Sequence, residues 1–279
     1  MSKKVFLKGT LILACTGLVS RIAGFFYRIF LSHAIGAEGL GLYQLILPLQ
    51  GLMAALSYTG IQSALSRLIA SRLALQEKKE AYFSLVTGIF AAVFFSAVTG
   101  FLLFRHADFF ASTILKAPGT SDFLRLTAAS IPLCAIHSCI DSYYYARKKA
   151  SVPAAVQLSE QAVRIGATYI LYLIFLSEGR PVTAMIAAGG SLAGEATASL
   201  ISLLMVSFHF GNHPVKEKTS VKIFPLIKDL FTLSFPISLN RILLTLLGSI
   251  EAVLIPQMLI RCGMTSSEAL KIYGIFTGM

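Results

Sequence analysis

The 279-residue chain contains no tryptophan, only 13 acidic residues against 24 basic ones, and 13% charged residues in all. Each scarcity excludes something. Without tryptophan, anchoring at a membrane–water boundary falls to tyrosine, and Tyr143, Tyr144 and Tyr145 stand beside Arg147, Lys148 and Lys149 as such anchors would. No paired acidic metal site falls in a polar loop, which removes the sequence basis for a membrane-bound glycosyltransferase. The four cysteines, Cys15, Cys134, Cys139 and Cys262, include no CxxC pair and read as reduced packing residues. No catalytic residue, cofactor or metal ligand set is expected. A charged fraction this low also excludes an ordinary soluble domain, in which about 25% of residues are charged.

What is present is apolar. Hydrophobic residues make up 56% of the chain and the mean hydropathy is +0.75, above the roughly 45–50% apolar content of soluble domains. Windows of about 20 apolar residues fall at 9–35, 40–66, 83–104, 122–146, 151–176, 182–208 and 229–260. The fold expected is therefore all-α, a polytopic integral membrane bundle of about seven transmembrane helices. The longest polar stretch, 209–228, holds His213, Pro214 and four lysines and reads as a linker between two bundles.

The basic residues sort by side. Lys3, Lys4 and Lys8, then Arg67, Arg72, Lys78 and Lys79, then Arg147, Lys148 and Lys149, then Lys216, Lys218, Lys222 and Lys228 all fall on one side of such a bundle. The alternate connections hold only Arg105, Lys116, Arg125, Arg180, Arg261 and Lys271. By the positive-inside rule the N-terminus is cytoplasmic. The net charge of +11 then reflects this bias and attraction to anionic membrane lipids, with no call for nucleic acid. A cleaved signal peptide is the other reading of the opening lysines, but Arg21 follows the apolar run and the helical pattern continues through it.

Four arginines remain inside apolar windows: Arg21, Arg28, Arg164 and Arg241. Each charge near the centre of a membrane helix costs roughly 2.5–3.5 kcal/mol on insertion scales, so it must face protein or a water-filled cavity. Arg21 and Arg28 are two helical turns apart and point the same way, on a face continued by Gly17, Gly24 and Ser32. That face reads as an anion-binding wall. Arg241, beside Asn240 in the last window, is the third candidate, because guanidinium groups bind phosphate oxygens bidentately. Pro236 and Pro256 can kink this window where it lines a cavity.

Other polar residues in the windows admit two readings. Thr127, Ser130, Cys134, His137 and Asp141 form one stripe, either a seam between helices or a path on which His137 and Asp141 respond to protons. Glu160 and Arg164 are one turn apart and can neutralise each other, with Gln157 and Gln161 on the same face. Gly190 and Gly194 form a GxxxG packing motif, and the following Glu195 needs a partner from another helix. Glu251 reads as a partner for an arginine or as charge compensation.

The opening KKVFLKGTLILACTGLVSRIAGFFYRIFLSHAIGAEGLGLYQLILP carries S-R-I-x-G-F-x-x-R at Ser20–Arg28 and I-G-A-E-G-L-G-L-Y at Ile35–Tyr43. In these motifs the chain resembles the family of stage V sporulation protein B and its relatives, the polysaccharide exporter branch of the superfamily that also holds multidrug extruders and lipid II flippases. The resemblance implies two six-helix lobes rocking about a central cavity. It also implies substrates that are undecaprenyl-linked sugars, including peptidoglycan precursors, moved across the bacterial plasma membrane for cell-wall, spore-cortex or polysaccharide synthesis. Arg21 matches a functionally important first-helix arginine of lipid II flippases, and Arg28 is displaced by one position from their motif. Where those flippases carry paired arginines after a Leu-Pro, Leu47 and Pro48 are here followed by Leu52 and Met53.

A faint internal repeat sets Asn240, Arg241, Gly263, Glu268 and Tyr273 against Arg21, Gly36, Glu38 and Tyr43. Residues 1–208 are then a first six-helix lobe, 209–228 a cytoplasmic linker and 229–279 the first helix of an incomplete second lobe. A fragment that needs its missing lobe or a partner chain to enclose the cavity is the expectation. Two alternatives compete with a flippase: an ion-coupled multidrug extruder of the same architecture, against which the intramembrane arginines argue, and a non-transporting scaffold for wall synthesis.

Overall fold

Apolar windows this long leave the backbone one way to satisfy its polar groups in lipid, by hydrogen bonds within each segment. The computed structural model describes residues 3–212 and 223–278, and among them every regular element is helical. The order is α1 (Lys3–Ser57), α2 (Thr59–Ala74), α3 (Lys78–Arg105), the single turn α4 (Ala107–Phe109), α5 (Ser121–Ala146), α6 (Ser151–Ser177), α7 (Met185–Asn212), α8 (Ile223–Arg261) and α9 (Ser266–Gly278). A π turn, Phe110–Ile114, and a 3-10 turn, Pro118–Thr120, bridge α4 to α5. Five of the helices are long and apolar enough to cross a membrane, and the protein is a multi-pass membrane protein. His213, Pro214, Lys216, Lys218 and Lys222 of the expected linker lie outside the described residues.

Three departures from the sequence reading have local causes. First, the expected window 40–66 is broken where Tyr58 leaves the helical region at φ −131°, ψ −20°, into the end of α1 and the whole of α2. The separation of the first two windows does hold, as two arms of α1, because Gly36 adopts φ 71°, ψ 175°, in territory open to glycine. Tyr27 and Tyr43, on opposite arms, line one cavity, so the chain reverses at this residue. Secondly, the last window starts earlier, at Ile223, and a further helix follows it. Gly263, at φ 95°, ends α8, and Thr265 with Glu268 forms a reciprocal cap that starts α9. The Thr265 N–H donates to Glu268 Oε2 at 2.9 Å and the Glu268 N–H to Thr265 Oγ1 at 3.3 Å. Thirdly, Tyr143 and Tyr144 are buried, stacked edge-on with centroids 5.5 Å apart and packed on Phe210 and His209; only Tyr145 of the three is exposed.

Two apolar cores hold the bundle. One gathers Leu31, Leu40 and Ile46 of α1 with Leu124 of α5 and Ile186 of α7. The other gathers Leu65 and Ile69 of α2, Leu85 of α3, Ile140 of α5 and Leu230 of α8. Outward faces are equally apolar. Phe90, Phe94, Phe101 and Phe104 of α3 are all more than half exposed, as side chains that meet lipid would be. Since lipid is as apolar as leucine, close backbone approach and hydroxyl hydrogen bonds do much of the joining. Ser199 Oγ of α7 donates to the Leu133 carbonyl of α5 at 2.6 Å, and Ser249 Oγ of α8 to the Pro48 carbonyl of α1 at 3.0 Å. At the end where α2 meets α3, Arg72 pairs with Glu80 at 3.0 Å and with Asp229 of α8 at 2.9 Å.

The second arm of α1 meets α9 through glycine on both sides. A Cβ on Gly41 would stand 2.1 Å from the Leu270 carbonyl oxygen, and one on Gly274 would stand 2.4 Å from that of Ala37. The contact is reciprocal: 41 meets 270 while 274 meets 37. Ser267 Oγ adds a 2.6 Å hydrogen bond to Glu38.

Candidate functional site

Between the two arms of α1 and one face of α6 lies a cavity of ≈ 640 Å³. The first arm contributes Gly17, Ser20, Arg21, Gly24 and Arg28, which share a helical phase. Tyr43 and Leu47 come from the second arm, and Gln157, Gln161 and Arg164 from α6. Gly17 and Gly24 would meet nothing within 4 Å if they carried a Cβ, so their smallness holds the wall open instead of joining helices. Tyr27 fixes the distance across the cavity. Its hydroxyl lies 3.1 Å from Thr168 Oγ1, which itself donates to the Arg164 carbonyl at 2.8 Å.

Arg21 and Arg28 are exposed and form no ion pair with any described residue. Arg164 is the opposite case. Its Nη2 bonds to Glu160 Oε1 one turn back on α6 and lies 3.5 Å from Glu195 Oε1 of α7. Glu195 Oε2 is in turn 3.1 Å from His137 Nε2 of α5, at ion-pair distance but without hydrogen-bond alignment. Glu195 thus finds the two interhelical partners that its own helix cannot offer. The glycines deliver it there. A Cβ on Gly190 would fall 1.9 Å from Thr168 Oγ1 and 2.8 Å from the Arg164 carbonyl, and one on Gly194 3.0 Å from the Glu160 carbonyl, so only glycine lets α7 come this close to α6.

The remaining members of the α5 stripe line the same seam. Thr127, Ser130 and Cys134 are buried, and His137 points to Glu195 across the helix gap. Asp141 Oδ1, His137 Nδ1 and Arg164 Nε are buried without a hydrogen-bond partner. Cys134, His137 and Glu195 bring a thiol, an imidazole and a carboxylate within 4.8 Å of one another, a donor set with which a divalent ion is compatible. The Arg164 guanidinium beside Glu195 already supplies positive charge at that point, so these residues fit an ion-pair network better than a metal centre.

The structure brings together two of the three arginines singled out from sequence and adds Arg164 to them. Arg241, Asn240 and Glu251 are exposed along α8 and do not line this cavity. Arg164, one of the four arginines inside apolar windows, reads from sequence as neutralised by Glu160 and not as a ligand for the cavity. Its signal was the polar face Gln157–Gln161–Arg164, which continues past what pairing with Glu160 requires.

Comparison with known proteins places this geometry. The polysaccharide biosynthesis protein family model matches residues 6–277. The chain is 32% identical to stage V sporulation protein B of Bacillus subtilis (strain 168), over all of this chain and 54% of that protein. It is 23% identical to the uncharacterized membrane protein YabM of the same organism, over 96% of this chain and 50% of that one. It therefore spans about half the length of these relatives. A solved MOP superfamily transporter from Pyrococcus furiosus Vc1 (DSM3638) shares the fold, with a TM-score of 0.63 at 16% identity, across 97% of this chain and 61% of that one.

Proposed function

We propose that this chain, which belongs to the polysaccharide biosynthesis protein family, forms part of a flippase that carries undecaprenyl-pyrophosphate-linked sugars or peptidoglycan precursors across the bacterial plasma membrane. The observation that carries this reading is the pair Arg21 and Arg28, unpaired cations on one wall of a cavity whose other wall presents Arg164 and two glutamine amides. A pyrophosphate offers bidentate acceptors to such guanidinium groups, while its polyprenyl tail stays in lipid. The cavity volume lies within the range of about 300–1,000 Å³ usual for ligand sites.

In this reading α1 to α7 form the first lobe, and the linker expected at 209–228 is narrowed to the stretch between the end of α7 at Asn212 and the start of α8 at Ile223. Helix α8 with α9 opens a second lobe whose further helices, or a partner chain, complete the enclosure. The Gly41–Gly274 contact is then the seam on which the lobes meet, and rocking about it gives alternating access. Arg241, Asn240 and Glu251 on α8 belong to the second lobe's contribution, away from the first docking point, and His137, Asp141 and Glu195 are the polar groups behind the cavity wall. An acidic cavity for cationic drugs would require the reverse sign, so the multidrug extruder is not adopted.

The test is binding and transport. A nucleotide sugar such as UDP-glucose, a pyrophosphate esterified at both ends, is titrated into the purified full chain. Saturable binding that is lost in Arg21→Ala and Arg28→Ala supports the reading, and wild-type affinity in both variants sinks it. Orientation is tested separately by an impermeant thiol reagent on cells. Lys116→Cys should label and Lys148→Cys should not, and the opposite pattern reverses the proposed topology.

A further inference from the structure

Arg164 stands at a boundary between two anionic environments. On one side it lines the cavity, with its side chain 20% exposed; on the other it meets Glu160 and Glu195, whose side chains are 12% and 9% exposed. Both carboxylates are met by the same nitrogen, Nη2, and the approach to Glu195 at 3.5 Å is longer than the about 2.7–2.9 Å of a charge-assisted hydrogen bond. Nε has no partner, although a guanidinium carries five N–H donors. The grip on Arg164 is therefore incomplete, and the unused donors belong to a side chain that already faces the proposed docking site.

We propose that a phosphate anion in the cavity competes with Glu160 and Glu195 for Arg164, and that the carboxylates so released take up a proton, which makes loading proton-coupled. The inference rests on the anion-binding reading of the cavity and names its coupling ion. Its balance is simple. Before loading, the single guanidinium offsets one of the two carboxylate charges of Glu160 and Glu195. After loading, it neutralises phosphate, and two carboxylates a few ångströms apart in a buried seam cannot both remain ionised. About one proton restores the balance.

The groups facing that seam decide where the proton can reside. From α5 come His137, Cys134 and Asp141, of which His137 is in contact with Glu195. From α6 come Glu160 and Arg164, and Tyr58, at the junction of α1 and α2, approaches Cys134 and Glu195. On the cavity side Arg164 faces the hydroxyls of Tyr27 and Tyr43. No second guanidinium or ammonium group lies among these, so a displaced Arg164 is not replaced by another fixed cation from the described residues.

The experiment is calorimetry of UDP-glucose binding to the purified full chain, in buffers of different ionisation enthalpy and across a range of pH. The probe has no group that titrates near neutrality, so a buffer-dependent heat reports protons taken up by the protein. The expected result is an uptake of about one proton and an affinity that rises by up to about tenfold for each unit the pH falls. Replacing Glu160→Gln together with Glu195→Gln keeps shape and removes the competition; binding should tighten and its heat become the same in every buffer. Wild-type binding with equal heats in all buffers and no pH dependence would overturn the exchange while leaving the anion site intact. Absence of binding at every pH would overturn both. The wild-type measurement alone decides the matter if the double variant does not fold.

Discussion

The two walls of the cavity hold arginine in opposite circumstances. On α1, Arg21 and Arg28 have no anionic partner among the described residues; on α6, Arg164 has two, and one of those is itself tied to His137. A membrane protein that gives one half-buried arginine two carboxylate partners, and leaves two others on the same cavity with none among the described residues, separates structural charge from charge held in reserve for a ligand. The roughly 2.5–3.5 kcal/mol that a charge costs near the centre of a membrane helix is avoided by facing both side chains into the cavity, where an anion finds them exposed.

Removing Arg164 should have the largest effect on the folded state. Arg164→Leu strands Glu160 and Glu195 without their cation, and truncating one partner of a buried ion pair typically costs about 3–5 kcal/mol. A large fall in thermal midpoint in detergent is expected, and a midpoint equal to wild type would erase the distinction between the walls. Next come Arg21→Ala and Arg28→Ala, each expected to lower affinity for UDP-glucose by about 10- to 100-fold, the range of one hydrogen bond to a charged group. Their thermal midpoints should not fall, because no partner is stranded. Gly190→Leu sharpens the comparison from a third direction. The side chain would drive α7 from α6 by pressing on Thr168 and the Arg164 backbone carbonyl, cost about 1–3 kcal/mol by overpacking, and separate Glu195 from the Arg164 guanidinium without replacing either ionised group. Smallest is Arg241→Ala, whose effect on UDP-glucose affinity should fall below that of either α1 arginine. An equal loss would bring α8 into the first docking site.

What the sequence made legible follows from range. Hydropathy placed the long apolar helices because each is a long local signal, while the break at Tyr58 inside the window 40–66 carried no hydropathy signal. The phase of Arg21, Gly24 and Arg28 fixed one cavity wall, because helical geometry relates residues that are close in sequence. Two things were hidden by different causes. Helix α9 is only 13 residues, short of a membrane span, and its cap at Thr265–Glu268 after Gly263 was the overlooked sign. Arg164 was obscured by its own neighbour: Glu160, one turn away, offered a complete local explanation for a residue that also faces across the cavity. The union of His137, Glu195 and Arg164 depends on the relative register of α5, α6 and α7, which no single helix encodes. The GxxxG motif announced close packing there without naming the partner.

The turn at Gly36 has a mechanical consequence. Arg28 and Tyr43 stand on opposite limbs of one reversed helix, so the gap between them is set by a single pair of torsion angles at a residue with no side chain. Tyr43 lies seven residues out, a lever arm of about 10 Å at about 1.5 Å per residue. A swing of about 10° at the pivot would carry it about 2 Å, roughly the difference between a phosphate gripped and a phosphate free to leave.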